Sequence, residues 1–125
     1  MMKYRMIIPE ILFHKIRNEG RRLDVHLFDK SCQQIKIHDQ IEYEADHSHQ
    51  VVLREVKGFG IFENFADLAS SIPPEMFGYT NSDEILVRLN RLYSKEKQEE
   101  FNVLLLFLDE AAPVLENLAR DELER

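Results

Sequence analysis

The chain has a single cysteine, Cys32, no tryptophan, four glycines, four prolines and a deficit of basic charge. Each shortage excludes something. One cysteine forbids an internal disulfide framework and fits a reducing compartment. So little glycine and proline, beside 44% hydrophobic and 31% charged residues, is wrong for a disordered or low-complexity chain. No apolar run approaches the roughly 20 residues that a membrane span needs. The longest, VLLLFL, covers positions 103 to 108. The N-terminal MMKYRMIIPEI lacks the long apolar stretch and small-residue cleavage site of a secretory signal. The expectation is a cytoplasmic protein without membrane association. A formal charge of −7 argues against broad, sequence-blind adhesion to nucleic acid, which needs many cations facing phosphates.

What is there points to one folded domain, since 125 residues can bury a single core unaided. The charge is uneven. Positions 1 to 22 hold six basic residues against two acids, and positions 109 to 125 hold six acids against two arginines. A basic patch therefore survives the global deficit.

Pro9 can open a helix running to about position 18, with Ile11, Leu12, Phe13 and Ile16 as its apolar stripe and Gly20 as a left-handed stop. A strand over 22–28 follows, then a turn at DKSC and a short strand in QQIKI. IEYEA is a strand with Ile41, Tyr43 and Ala45 on one face. DHSH turns the chain into a long strand, VVLREVKGFGIF, whose Gly58 and Gly60 predict a bend or bulge. The two histidines of that turn, His47 and His49, have metal-ligand spacing but no evident third ligand. Asn64 caps a short helix carrying Phe65 and Leu68. SIPPEMFGYT reads as a proline-stiffened loop. Asn81, three residues before Glu84, starts a helix over 82–92 with Ile85, Leu89 and Leu92 on one side. Ser94 caps another turn before the buried strand NVLLLFL. Residues 109–125 read as an acidic amphipathic helix, separate from a domain over 1–108.

The stretch NEGRRLDVHL, positions 18 to 27, carries the chemistry. At a period of two, Arg22, Asp24 and His26 share one side of the strand, and Leu23, Val25 and Leu27 the other. The polar side is either a solvated face with surface ion pairs or one wall of a site. As a site, Arg21 would fork onto a phosphate or carbonyl oxygen while Asp24 and His26 bond a base edge or sugar hydroxyl. Lys15, Arg17 and Arg22 would attract phosphate at its mouth. Tyr43, Phe59, Phe62 and Tyr79 are candidate stacking platforms, Tyr79 the best placed for exposure. Cys32, without a CxxC partner, reads as idle.

In order and spacing, IRNEG, RRLDVHLFD, IKIHDQIEY, VKGFGIFENFADL and RLYSKEKQEEFNVLLLFL resemble the pattern of ASCH (activating-signal-cointegrator-homology) domains over roughly residues 6 to 108. The resemblance implies an α+β fold: a PUA-like small β-barrel of about five strands, mixed or antiparallel, edged by helices. The extra C-terminal helix lies beyond it. It also implies a cleft beside the 22–28 strand that receives RNA or a nucleotide-like ligand. At the family's glycine, lysine, acid-or-threonine and arginine places stand Glu19, Arg21, Asp24 and His26, and His38 replaces a turn glycine before Asp39. One branch of the family is an acetylcytidine amidohydrolase using lysine, threonine and glutamate. Arg21 at the lysine place cannot act as a general base, because a guanidinium stays protonated. Asp24 stands at the threonine place, and Glu75 is the candidate glutamate.

The resulting expectation is recognition of a short single-stranded RNA or modified nucleoside, with no metal and no cofactor. The rival is a hydrolase of the amidohydrolase or ribonuclease kind with Asp24 and Glu75 as acid–base pair. A third is an interaction module, in which the C-terminal helix docks on a protein partner or a second copy.

Overall fold

A computed structural model describes residues 2–111 of the chain. Its elements are β1 (Lys3–Ile8), α1 (Glu10–Asn18), β2 (Leu23–Leu27), β3 (Gln40–Ala45), β4 (Val51–Phe62), α2 (Phe65–Ser71), a 3-10 turn (Pro74–Phe77), α3 (Ser82–Leu92), α4 (Lys95–Phe101) and β5 (Val103–Glu110). The five strands form one sheet in the order β1-β3-β4-β5-β2. Only β1 and β3 are parallel; the other pairings are antiparallel. The mixed sheet curls into a half-barrel edged by helices, the α+β architecture that the resemblance implies.

β5 shows how the layers are built. Leu104, Leu106 and Leu108 face a core inside the curl, with Ile41, Tyr43 and Val56 of the neighbouring strands and Phe13 and Ile16 of α1. Val103 and Leu105, on its other face, join Leu23 and Val25 of β2 under Phe65, Leu68, Ile85 and Leu89 of α2 and α3. An apolar run with no polar alternation is what a strand covered on both faces requires. Buried Gln98 ties the helical layer together: it accepts from the Phe65 N–H and donates to Asn90 Oδ1.

Several ends form as expected from local chemistry. Asn64, Asn81 and Ser94 each accept from a backbone N–H three residues on. Glu84 does not complete a capping box; its carboxylate takes the Thr80 hydroxyl instead. Gly20 has φ +73°, and the Arg21 N–H returns to the Lys15 carbonyl, closing α1. β4 carries its bulge between Val56 and Gly58.

Other expectations are corrected. The β1 strand escapes a reading that treats the N-terminus only as a possible signal, although Lys3, Tyr4, Arg5 and Met6 alternate as a strand should. QQIKI is no strand; it lies in turns, with Cys32 and Ile35 buried and buried Asp39 accepting from the Lys36 and Met2 N–H groups. Ile11 and Leu92 point outward from their helices. Asp109 and Glu110 continue β5, so the strand crosses the expected boundary at 108. The rest of the predicted C-terminal helix lies outside the described residues.

His38, at the place of the glycine in the resembled pattern, adopts φ +77°. A side chain there costs about 1–2 kcal/mol relative to the right-handed region. Glycine relieves that cost while loosening the unfolded chain by about 0.5–1 kcal/mol. His38→Gly should therefore raise stability by about 0.5–1 kcal/mol, read as a higher urea midpoint with unchanged slope.

Candidate functional site

β2 is the strand on which the sequence places its chemistry, and it is not half-solvated. Leu23 and Val25 face the helical layer, and Asp24 and His26 face the inside of the barrel. Asp24 is only 1% exposed. The polar side of the strand is an interior one because helices claim the other side.

Inside, the Asp24 carboxylate is engaged through one of its oxygens. Its Oδ2 is held by the His26 Nε2 and accepts from the Tyr43 hydroxyl at 2.6 Å. Burial alone would push this carboxyl up; His26, the Tyr43 hydrogen bond and the Arg21 charge outweigh it and hold it below its ordinary value. Burial likewise disfavours a charged His26, and the adjoining carboxylate overrides it, so the imidazole binds its proton more tightly than usual. The Tyr43 phenol is pushed well up by burial and by the anion beside it. The result is a carboxylate–imidazolium pair with a neutral phenol as third member. Tyr43, wholly buried, is no stacking platform.

Separate hollows open beside this strand. One, of about 260 Å³, receives Lys15, Arg21, Glu75 and Phe77. These come from the end of α1, the segment before β2 and the 3-10 turn, so the proline-stiffened loop forms one wall. The Arg21 Nε donates to the Leu23 carbonyl at 2.8 Å, and its guanidinium lies 5.6 Å from the Phe77 ring centre. Tyr79 stacks on Phe77 at 6.5 Å between near-parallel rings. Lys15 and Arg88 approach the Tyr79 ring at 5.3 and 5.0 Å, so this half-buried aromatic is a seat for cations and not a bare platform.

The second hollow, also about 260 Å³, is lined by His26 together with Met6, Ile7, Leu27, Asp29 and Tyr93, among others. Cys32 borders it, but burial pushes its thiol to about 11, leaving it unionised at neutral pH.

The structure thus brings Lys15, Arg21 and Glu75 together beside Tyr79, and separates them from Asp24 and His26. Arg17 bonds Gln50 and Arg22 pairs with Asp109, both exposed; Arg17, Arg22 and Asp109 line a smaller hollow of about 70 Å³ that shares only Gly20 and Arg21 with the aromatic one. Phe59 is exposed on β4, and Phe62 packs half-buried against the helical layer. Glu75 and Asp24 share no hollow, so their expected acid–base partnership lacks the geometry it needs. At the hairpin, the Glu10 carboxylate binds the His47 and Ser48 N–H groups, and His49 lies 3.3 Å from Glu44. Arg88, on α3 and beyond Tyr79 in the chain, joins the cationic cluster.

No family model and no curated protein matches the chain. Among the solved structures that share its fold are the following two. The "hypothetical protein PH0355" crystal structure superposes with a TM-score of 0.76 at 20% identity, covering 88% of this chain and 100% of that one. The solution structure of "Protein PF0455 from Pyrococcus furiosus" gives 0.68 at 20% identity, covering 89% and 99%. The likeness is one of fold alone, a small curled half-barrel edged by helices.

The buried pair generates a pH signature. His26 gains proton affinity on folding, so its contribution is complete below its ordinary value of 6.5 and declines as pH rises through its higher folded value. Asp24 contributes above 3.8 and loses its share as pH falls. Between pH 6 and 8, Tm should fall more steeply in the wild type than in His26→Gln; parallel profiles would mean no proton is gained. Separately, burial lifts the Cys32 thiol from 9.0 to about 11, which leaves far less thiolate to react. Alkylation at pH 8 should therefore run about 100-fold slower than for a free thiol, before any loss of access.

Proposed function

We propose that this chain is a nucleotide-recognition domain of the ASCH type that binds a short single-stranded RNA or a modified nucleoside in the aromatic hollow. The observation that carries the reading is the meeting of Lys15, Arg21 and Glu75 in one hollow of about 260 Å³ at the stacked Phe77–Tyr79 pair. Cations seated on rings are held in place before a ligand arrives, which lowers the ordering cost of gripping a phosphate. Glu75 offers an acceptor for a base or ribose donor.

The size of the hollow suits one nucleotide unit, and the net charge of −7 disfavours long duplexes. Arg21 stands at the family's lysine place, which favours recognition over the amidohydrolase chemistry because it supplies a fixed charge and no base. A hydrolase would need a second group beside Glu75, and Asp24 is already committed to His26 and Tyr43.

Fluorescence anisotropy with a labelled single-stranded RNA heptamer tests the reading. Arg21→Ala should weaken binding about tenfold or more, the scale of a lost charged hydrogen bond. Lys15→Ala should lower the salt slope by about 0.7, one single-strand phosphate contact. Tyr79→Ala should weaken binding by releasing both seated cations, while Lys57→Ala, on a cation paired with Glu55, should change it less than twofold. Affinity indifferent to Arg21, Lys15 and Tyr79 together would contradict the assignment.

A further inference from the structure

The sheet order begins with β1 and ends with β2, so among the described residues each has a hydrogen-bonded neighbour on one side only. Met6 and Ile7 of the first and His26 and Leu27 of the second nevertheless line one hollow. That hollow is the open seam of the half-barrel.

Its walls differ in character. Met6, Ile7 and Leu27 make an apolar side. On the polar side, His26 has given its Nε2 to Asp24, and its Nδ1 has no hydrogen-bond partner among the described residues. Asp29 uses Oδ1 to accept from the Ser31 hydroxyl at 2.7 Å and the Cys32 N–H at 3.1 Å. The Ser31 N–H and the Cys32 thiol also approach this carboxylate, which lines the hollow. The seam therefore offers one ring N–H donor and one carboxylate acceptor against an apolar wall.

The charges narrow the ligand. Asp24 and Asp29 are both held below their ordinary values, the first by His26 against the cost of burial and the second chiefly by Ser31 and Cys32. Two carboxylates and one imidazolium leave a net negative charge, which disfavours a carboxylate or phosphate. Tyr93 and Cys32, the other titratable groups on the hollow, are both pushed up by burial and stay neutral. An unionised thiol also rules out attack by Cys32 at neutral pH.

We propose that the seam is a second binding site, for a small uncharged lactam whose carbonyl accepts from His26 Nδ1 and whose N–H donates to Asp29. A ring amide is held cis, so its donor and acceptor lie on one edge while its methylenes cover the apolar wall. About 260 Å³ is near the lower end of ligand pockets and suits a fragment-sized ring. The site is independent of the aromatic hollow.

The test titrates 2-piperidone into the full chain, following the His26 ring proton and the Ile7 and Leu27 methyl resonances by NMR. Saturable shifts at these positions are expected. N-methyl-2-piperidone, which keeps the acceptor and loses the donor, should bind about tenfold more weakly, the fold-change for one hydrogen bond to a charged group. Ile7→Trp should abolish the response: Ile7 is 67% exposed, so the larger side chain can fill the seam without entering the core. Absent shifts, equal binding of the N-methyl compound, equal perturbation by sodium acetate at matched ionic strength, or an unaltered response in a folded Ile7→Trp variant would each overturn the proposal.

Discussion

The molecule depends on a carboxylate that has nowhere to be hydrated. Asp24 sits inside the barrel, and a buried anion survives only when its charge and lone pairs are met. His26 meets the charge, and Tyr43 donates a hydrogen bond. The second contact matters for architecture, because β2 and β3 are not neighbours in the sheet. Backbone hydrogen bonds run from β3 through β4 and β5 to β2 the long way round. The Asp24–Tyr43 bond crosses the interior directly, joining side chains across a curl that the backbone leaves open. Removing His26 would leave the Asp24 charge without its ion partner in an apolar interior, a penalty far larger than the worth of a surface ion pair.

This constraint sorts the polar residues around it. With Asp24 turned inward, Arg21 is left outside the strand, where it caps the Leu23 carbonyl and faces Phe77. His26, two residues beyond Asp24, reaches the seam between the strand ends. A row that looks like one site in sequence therefore opens on two hollows with different chemistry. The one beside Arg21 combines cations and aromatic rings; the one beside His26 pairs a donor with an acceptor against an apolar wall.

Much of the secondary structure was legible because local chemistry set it. Asn64, Asn81 and Ser94 capped the helices they were expected to cap, and Gly20 took the left-handed turn that ends α1. β1 was legible too, in the alternation of Lys3, Tyr4, Arg5 and Met6, but a terminal stretch read only for targeting signals conceals it. The QQIKI turns were not legible: alternation around Ile35 and Lys36 imitates a strand, and only the anchoring of buried Asp39 to the Lys36 and Met2 N–H groups distinguishes a turn. Within the candidate site, Lys15, Arg21 and Glu75 carry recognisable types, yet nothing in their spacing says that a 3-10 turn some 50 positions away completes the hollow.

The residue order by itself settled where most strands and helices begin, that the 103–108 segment is covered on both faces, and that cations gather near the first helix. Those follow from periodicity, capping and composition, which act over a few neighbouring residues. Which face of β2 turns inward was decided only when α2 and α3 packed on the other one, because a period of two names two faces without saying which meets water. The same packing separated Arg21 from His26, buried Tyr43 and left a seam between β1 and β2; each depends on contacts between segments remote in the chain, where alternation carries no information.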